Sequence, residues 1–296
     1  MDLAGFLKAP AFWFRAKWLA GAGDAGRPPL SAPAASAVVR IVETWQPNPQ
    51  HPNRTIHVYT SAPGVALSVN GVSAGPPSAA LASGIATWGS VPYAAGAVSA
   101  VTVGAPGGAE ATHSRASWGA PAALRLTLDA PSPGTGTGRA LYLDGGDVAL
   151  VRATIVDAAG NVCSDAALNV SFAVAQGPGI VLGCGSGDPA DRYPNSAPWK
   201  PAYHGLARAI VRVSLDGATP AAARALRASI DVEAGRGPRS SGVLPPGAAP
   251  PAALLVTASA PGLPPASVSI PLSVDPADAP LAVARSSVGA ADLTEA

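Results

Sequence analysis

Charge is scarce in this sequence. Only 12% of its 296 residues are Asp, Glu, Lys or Arg, and 19 basic side chains offset 18 acidic ones for a formal net charge of +1. A chain with no field of one sign has little to hold a nucleic acid or an anionic membrane surface, so neither is expected as a partner. Glutamate occurs at four positions, Glu43, Glu110, Glu233 and Glu295, and no two are spaced to face each other across a cleft. Paired-carboxylate hydrolysis with retention needs two such groups about 5 Å apart. Two cysteines, Cys163 and Cys184, are too few for a disulfide framework or a zinc site, and buried thiols are the expectation. The four histidines, His51, His57, His113 and His204, lack ligand spacing, and no Ser sits in a G-x-S-x-G elbow. No catalytic residue, metal or cofactor is expected in this chain. No apolar run approaches the roughly 20 residues that span a bilayer. The opening MDLAGFLKAPAFWF has no basic segment leading into an apolar stretch and cleavage site, so the chain as given is expected to carry no export signal.

Glycine and proline, by contrast, are abundant at 33 and 32 residues. Both break helices and mark turns, which excludes a helical bundle and favours short strands joined by tight loops. The expected class is all-β, with two immunoglobulin-like sandwiches in tandem after a short helix. Residues 1–20 crowd Phe6, Phe12, Trp13, Phe14 and Trp18 among Lys8, Arg15 and Lys17, the pattern of a short amphipathic helix. One helix cannot bury that apolar surplus by itself, so it should pack on the following domain or on a partner. Residues 21–36 read as a linker.

From Val38 the apolar period becomes two. Strands are predicted around Val38–Glu43, Ile56–Tyr59, Val65–Val69, Ile85–Trp88 and Ala97–Val103, and residues 37–118 form the first sandwich. Asn70-Gly71 predicts a type I′ hairpin with another strand at once. Residues 119–275 repeat the design, with strands at Leu124–Leu128, Val148–Asp157, Leu168–Val174, Ala207–Val213, Leu254–Ser259 and Val268–Val274, and a turn at Asp157–Asn161. Gly/Pro-rich insertions fall at 132–139 and 235–251, and residues 276–296 read as a disordered tail.

The stretch from Gly183 to Gly205 is the most polar, aromatic and irregular. Gly183-Cys-Gly185-Ser-Gly187 lacks the following helix of a phosphate loop and reads as a turn. Beyond it, Asp188, Asp191, Tyr193, Trp199 and Tyr203 are the candidate sugar contacts: rings that stack on an oligosaccharide and carboxylates that accept its hydroxyls. The competing reading has the rings cap the end of the sandwich, with Asp188 capping a turn. Asn53-Arg-Thr55 and Asn169-Val-Ser171 are glycosylation sequons that matter only for an exported protein.

Several motifs share an order that resembles glycoside hydrolase family 2, of the β-galactosidase type, in the region after its catalytic barrel. His57-Val-Tyr-Thr-Ser61, Val65-Ala-Leu-Ser-Val-Asn-Gly71, Trp88, Val91-Pro-Tyr93 and Gly96 resemble the first post-barrel sandwich. Asp147-Val-Ala-Leu-Val151, Asp157 with Gly160-Asn161, Phe172, Gly177, Gly179, Gly187-Asp-Pro189 and His204-Gly205 resemble the last immunoglobulin-like domain. Asp2-Leu-Ala-Gly-Phe6, Lys8, Trp13 and Lys17-Trp18 resemble the end of the barrel, its last loop and helix. The resemblance implies a non-catalytic accessory region, a fragment whose partner is a catalytic barrel in cis, and an extracellular or vacuolar setting. It places the two catalytic Glu on barrel strands that this sequence does not hold. Gly185-Ser-Gly-Asp-Pro189 departs from the family's Gly-Asn-Gly-Asp-Pro, and His204 stands where the family has Phe. An alternative is an immunoglobulin-like carbohydrate-binding or surface adhesion module, because Ala153–Asp157, Gly160-Asn161 and Val170–Val174 also resemble bacterial adhesin repeats.

Overall fold

The computed structural model describes residues 2–20, 37–80, 83–105, 110–132, 137–142, 147–214 and 253–273. The predicted linker at 21–36, the insertion at 235–251 and the tail at 276–296 lie outside these residues, as does part of the insertion at 132–139. The chain divides into two compact units. Residues 1–120 with Asp157–Asn161 make the first, and residues 121–156 with 162–296 make the second. Both are sandwiches whose strands pair antiparallel, apart from one short parallel pairing of Leu141–Tyr142 with Ala266–Ser273 in the second. Among the described residues no helix is long and apolar enough to cross a membrane.

In the first unit one sheet has the order β1–β2–β6, formed by Val39–Ile41, Asn53–Thr60 and Ile85–Pro92. The facing sheet runs β4–β3–β7–β8, formed by Val72–Ser73, Gly64–Val69, Ala97–Val103 and Thr112–Ala116, with β5 (Ser78–Ala79) also on β3. Alternation sends Ile56 and Val58 inward from one sheet and Val65, Leu67, Val98 and Ala100 from the other, around a fully buried Trp45. Trp45 keeps its indole N–H satisfied by donating to the Ala94 carbonyl at 2.9 Å. The Asn70-Gly71 hairpin has positive φ at both positions, 50° and 82°, and β4 follows directly. The Asn70 side chain then secures the next strand, accepting the Ala97 N–H at 2.8 Å and donating to the Ala95 carbonyl at 2.9 Å. Gly96 permits this approach, since a Cβ there would sit 2.0 Å from Asn70 Oδ1.

Helix α1, Ala9–Ala20, packs within this first unit against β1 and β2. Phe6 and Ala16 are buried, the Trp13 indole donates to the Ser83 carbonyl at 2.8 Å, and the Arg40 guanidinium lies 4.3 Å over the Phe12 ring. One face of the predicted amphipathic helix is thereby accounted for. Leu7, Phe14 and Trp18 remain exposed on the same segment.

In the second unit one sheet has the order β10–β17–β16–β12–β14, formed by Leu141–Tyr142, Ala266–Ser273, Ala253–Ser259, Asn169–Gln176 and Trp199–Pro201. The other runs β13–β15–β11–β9, formed by Gly179–Gly185, Leu206–Val213, Val148–Asp157 and Pro121–Ala130. Val151, Ile155, Val170, Phe172, Val211, Leu254, Val256 and Ile270 fill the core. Asn169 faces out, as its place in the alternation demands. Cys163 and Cys184 are both buried, and neither is in a disulfide. Burial pushes the Cys184 thiol up to about 12 against the nearby Lys200 charge, which keeps it protonated and unreactive.

Candidate functional site

The segment predicted as a turn at Gly183–Gly187 is instead mostly strand. Gly183, Cys184 and Gly185 lie in β13 and pair with Ile210, Ala209 and Arg208 of β15. Gly183 serves close packing: a Cβ on it would lie 2.0 Å from the Asn195 carbonyl oxygen, so the following loop rests directly on this strand. That loop, Ser186 to Pro198, leaves β13 and returns into β14 beside β12, with Val170 opposite Lys200 and Ser171 opposite Trp199.

Three local devices hold the loop. The Asp188 carboxylate accepts the Ala190 N–H at 2.9 Å, the turn cap that the Gly-Asp-Pro sequence implied. Asp191 accepts the Tyr193 N–H at 2.8 Å. Lys200, fully buried, donates from Nζ to Asp191 Oδ2 at 2.5 Å and to the Tyr193 carbonyl at 2.7 Å, and it reaches Asn195 Oδ1 at 3.5 Å. Burial alone would raise the Asp191 pKa, but the Lys200 hydrogen bond, the Tyr193 amide and the Lys200 charge outweigh it and hold the carboxyl below its ordinary value.

Of the five sequence-predicted contacts, Asp188, Asp191 and Tyr193 line one cavity of about 230 Å³, together with Ser186, Arg192 and Pro201. Trp199 is not among the lining residues but packs against the Tyr193 ring, ring centroids 4.9 Å apart. Tyr203 pairs with His204 at 4.1 Å and is not among the lining residues. Sequence reasoning missed Ser186 as a lining residue and Lys200 as the loop's anchor. A three-residue strand carries too little alternation to show that Lys200 points inward.

A second titratable cluster lies in the first unit. His113 on β8 uses both ring nitrogens against β1: Nδ1 faces the Ile41 N–H at 3.2 Å and Nε2 faces Arg40 Nη1 at 2.8 Å. A neutral imidazole has one acceptor, so one contact is satisfied at a time, and protonation would satisfy neither. Burial, then the Arg40 and Arg115 charges, lower the His113 pKa from 6.5 to about 4. The unfolded chain therefore binds the extra proton between those values. Stability is full above about pH 6.5 and falls as pH drops toward about 4, by about 3 kcal/mol if the whole shift counted and by about 1–2 kcal/mol once solvent screening at this half-buried ring is allowed for. Denaturant unfolding between pH 4.5 and 7 should show that slope, and H113Q should flatten it. An unchanged slope in H113Q would assign the acid sensitivity elsewhere.

Other acidic groups have structural partners. Glu43 accepts the His57 N–H at 2.8 Å and contacts the His57 ring at 2.6 Å. Asp129 pairs with Arg152 and Arg208. Asp157, within the first unit, accepts the Gly119 N–H at 2.9 Å as well as the Ala159 and Asn161 amides.

Residues 137–225 match the family model described as glycoside hydrolase family 2 C-terminal domain 5, and residues 53–111 match a domain of unknown function (DUF4982). No curated protein sequence matches the chain. Among solved structures, a glycosyl hydrolase family 2 member from Bacteroides cellulosilyticus is similar at 20% identity with a TM-score of 0.61, covering 91% of this chain and 31% of that one. A β-glycosidase from Bacteroides vulgatus is similar at 19% identity with a TM-score of 0.64, covering 92% of this chain and 27% of that one. A family 2 β-glucuronidase is similar at 22% identity with a TM-score of 0.51, covering 80% of this chain and 20% of that one. The chain thus spans less than a third of the length of these proteins.

Proposed function

We propose that this chain, a glycoside hydrolase family 2 C-terminal region, serves as the non-catalytic accessory part of a larger glycosidase of the β-galactosidase type. The observation that carries the reading is the C-terminal domain match at residues 137–225, set in a fold that family 2 structures share over nine-tenths of the chain. The acidic side chains agree with it. Glu43, Asp129, Asp157 and Asp191 are each engaged by a histidine, an arginine, backbone amides or a lysine, which are structural tasks. The β-galactosidase type rests on the ordered motifs from His57 to Gly96 and from Asp147 to Gly205. Similarity to a β-glycosidase and a β-glucuronidase makes the substrate class a matter for direct measurement.

In this reading the partner of the chain is a catalytic barrel in cis, and the exposed Leu7, Phe14 and Trp18 belong to the surface that meets it. The chain by itself should hydrolyse chromogenic β-galactoside, β-glucoside and β-glucuronide no faster than buffer, because in this reading the paired acid and nucleophile belong to the barrel. Turnover abolished by mutating any Glu of this chain would overturn the accessory role. Sequencing the gene upstream gives the complementary test: an open frame encoding a barrel with two Glu is expected, and tandem copies of residues 119–275 would favour an adhesin instead. Expressed as one protein with that barrel, the chain should accompany β-galactoside turnover in preference to the other two substrates. Preference for the glucuronide would move the type.

A further inference from the structure

The loop between β13 and β14 is built more firmly than its exposure requires. A fully buried ammonium holds Asp191, the Tyr193 carbonyl and Asn195, and Gly183 lets the loop lie flat on the strand beneath. What this frame presents is a cavity of about 230 Å³, smaller than the roughly 300–1,000 Å³ typical of drug-sized ligands and so suited to one ring. Tyr193, 51% exposed, lines it with its ring steadied by Trp199. Asp188 keeps its second carboxylate oxygen available after capping Ala190, and Arg192 offers an exposed guanidinium. Ser186 lines the cavity at 3% exposure and adds a hydroxyl to its wall.

We propose that this cavity binds a single pyranose ring of a glycan, with Tyr193 as the stacking platform and Asp188, Arg192 and Ser186 exchanging hydrogen bonds with its hydroxyls. A pyranose presents an apolar C–H face and a rim of hydroxyls that both donate and accept. The cavity matches it with one aromatic face, one acceptor, one fixed donor and one hydroxyl that can do either. The carboxylate and guanidinium together argue against a bare cation or a bare anion, because either would meet a like charge. Asp191 lines the cavity too, but each of its oxygens already accepts a hydrogen bond, from the Tyr193 amide or from Lys200, so its first role is to position the loop. The frame is formed before any ligand arrives, which lowers the ordering cost of binding. The site lies wholly in the second unit and owes nothing to a barrel, so its test is separate from that of the accessory role.

The isotope-labelled full chain is titrated with methyl β-galactopyranoside, methyl β-glucopyranoside and methyl β-glucuronide while amide signals of residues 186–201 and Trp fluorescence are followed. Saturable millimolar shifts confined to this loop are expected with at least one glycoside. Tyr193→Ala should weaken that binding about tenfold with an unchanged melting temperature, since the ring is half exposed. Ser186→Ala should weaken it less. Absence of saturable shifts with all three glycosides would overturn the proposal, as would shifts that persist unchanged in Tyr193→Ala. Shifts that sodium sulfate reproduces would overturn it too, reducing the site to an anion contact at Arg192.

Discussion

Lys200→Ala should destabilise the second sandwich by about 3–5 kcal/mol, the cost usually found when one partner of a buried ion pair is removed. The ammonium is completely buried and holds Asp191, whose side chain is itself only 16% exposed. Without Lys200 the carboxylate loses its compensating charge, and the Tyr193 carbonyl and Asn195 side chain lose a donor. Lys200→Met fills the stem volume yet leaves the same orphaned carboxylate, so it should recover only the packing part of the loss. The double variant K200M/D191N removes both charges and should be more stable than K200M alone. Denaturant unfolding of wild type, K200M, D191N and K200M/D191N closes the cycle, and a cost below about 1 kcal/mol for Lys200→Ala would show that water already satisfies the site. The pair also has a pH signature. Because the Asp191 pKa is lowered on folding, its contribution is present above the ordinary carboxylate value near 3.9 and is lost as pH falls through the folded value. The Lys200 variants should lose that acid-side dependence, while the His113 slope at higher pH should persist.

Much of the fold was legible because both sandwiches bury one side of nearly every strand. Val65, Leu67 and Val69, or Val170, Phe172 and Val174, announce their strands by alternation, and Asn70-Gly71 announces its hairpin by the positive φ that only a few residues tolerate. Where the signal failed, a second physical demand had overwritten it. β13 contains Gly183 and Gly185, which read as turn residues, but at Gly183 the glycine is there because the Asn195 backbone leaves no room for a Cβ. β14 has three residues and β8 carries Thr, His, Ser and Arg, so neither shows a hydrophobic period. The candidate site was half legible for the same reason. Composition drew attention to the Gly183–Gly205 segment, yet it could not separate Tyr193, which faces a cavity, from Trp199, which supports it, or reveal that Lys200 claims Asp191. Those assignments depend on which side chain the loop turns inward, and an irregular loop has no period from which to read that.

Removing residues 2–20 should unfold the first sandwich, although by sequence the helix could equally have packed only on a partner outside the chain. Phe6 and Ala16 are buried, Phe12 and Trp13 are half buried, and all lie within the first unit with β1 and β2. Burying one large apolar side chain is worth roughly 1.5–3 kcal/mol, so losing Phe6 and half of Phe12 and of Trp13 removes about 3–6 kcal/mol. That approaches the whole stability of an ordinary domain, about 5–15 kcal/mol. The truncation would also strip Arg40 of the Phe12 ring above it in a site where burial and the Arg115 charge already lower its pKa to about 10. The truncated chain should therefore lose the cooperative transition of the first unit and keep that of the second. The other face of the segment predicts the opposite. Phe14 and Trp18 are 47% and 59% exposed, and Phe14→Ser with Trp18→Ser should change stability by no more than about 0.5 kcal/mol while reducing self-association of the isolated chain. Calorimetry of the truncation and sedimentation of the double variant separate the two faces. A truncated chain that keeps both transitions would show that the helix owes its place to the barrel alone, and a double variant that unfolds the sandwich would show that Phe14 and Trp18 belong to its core.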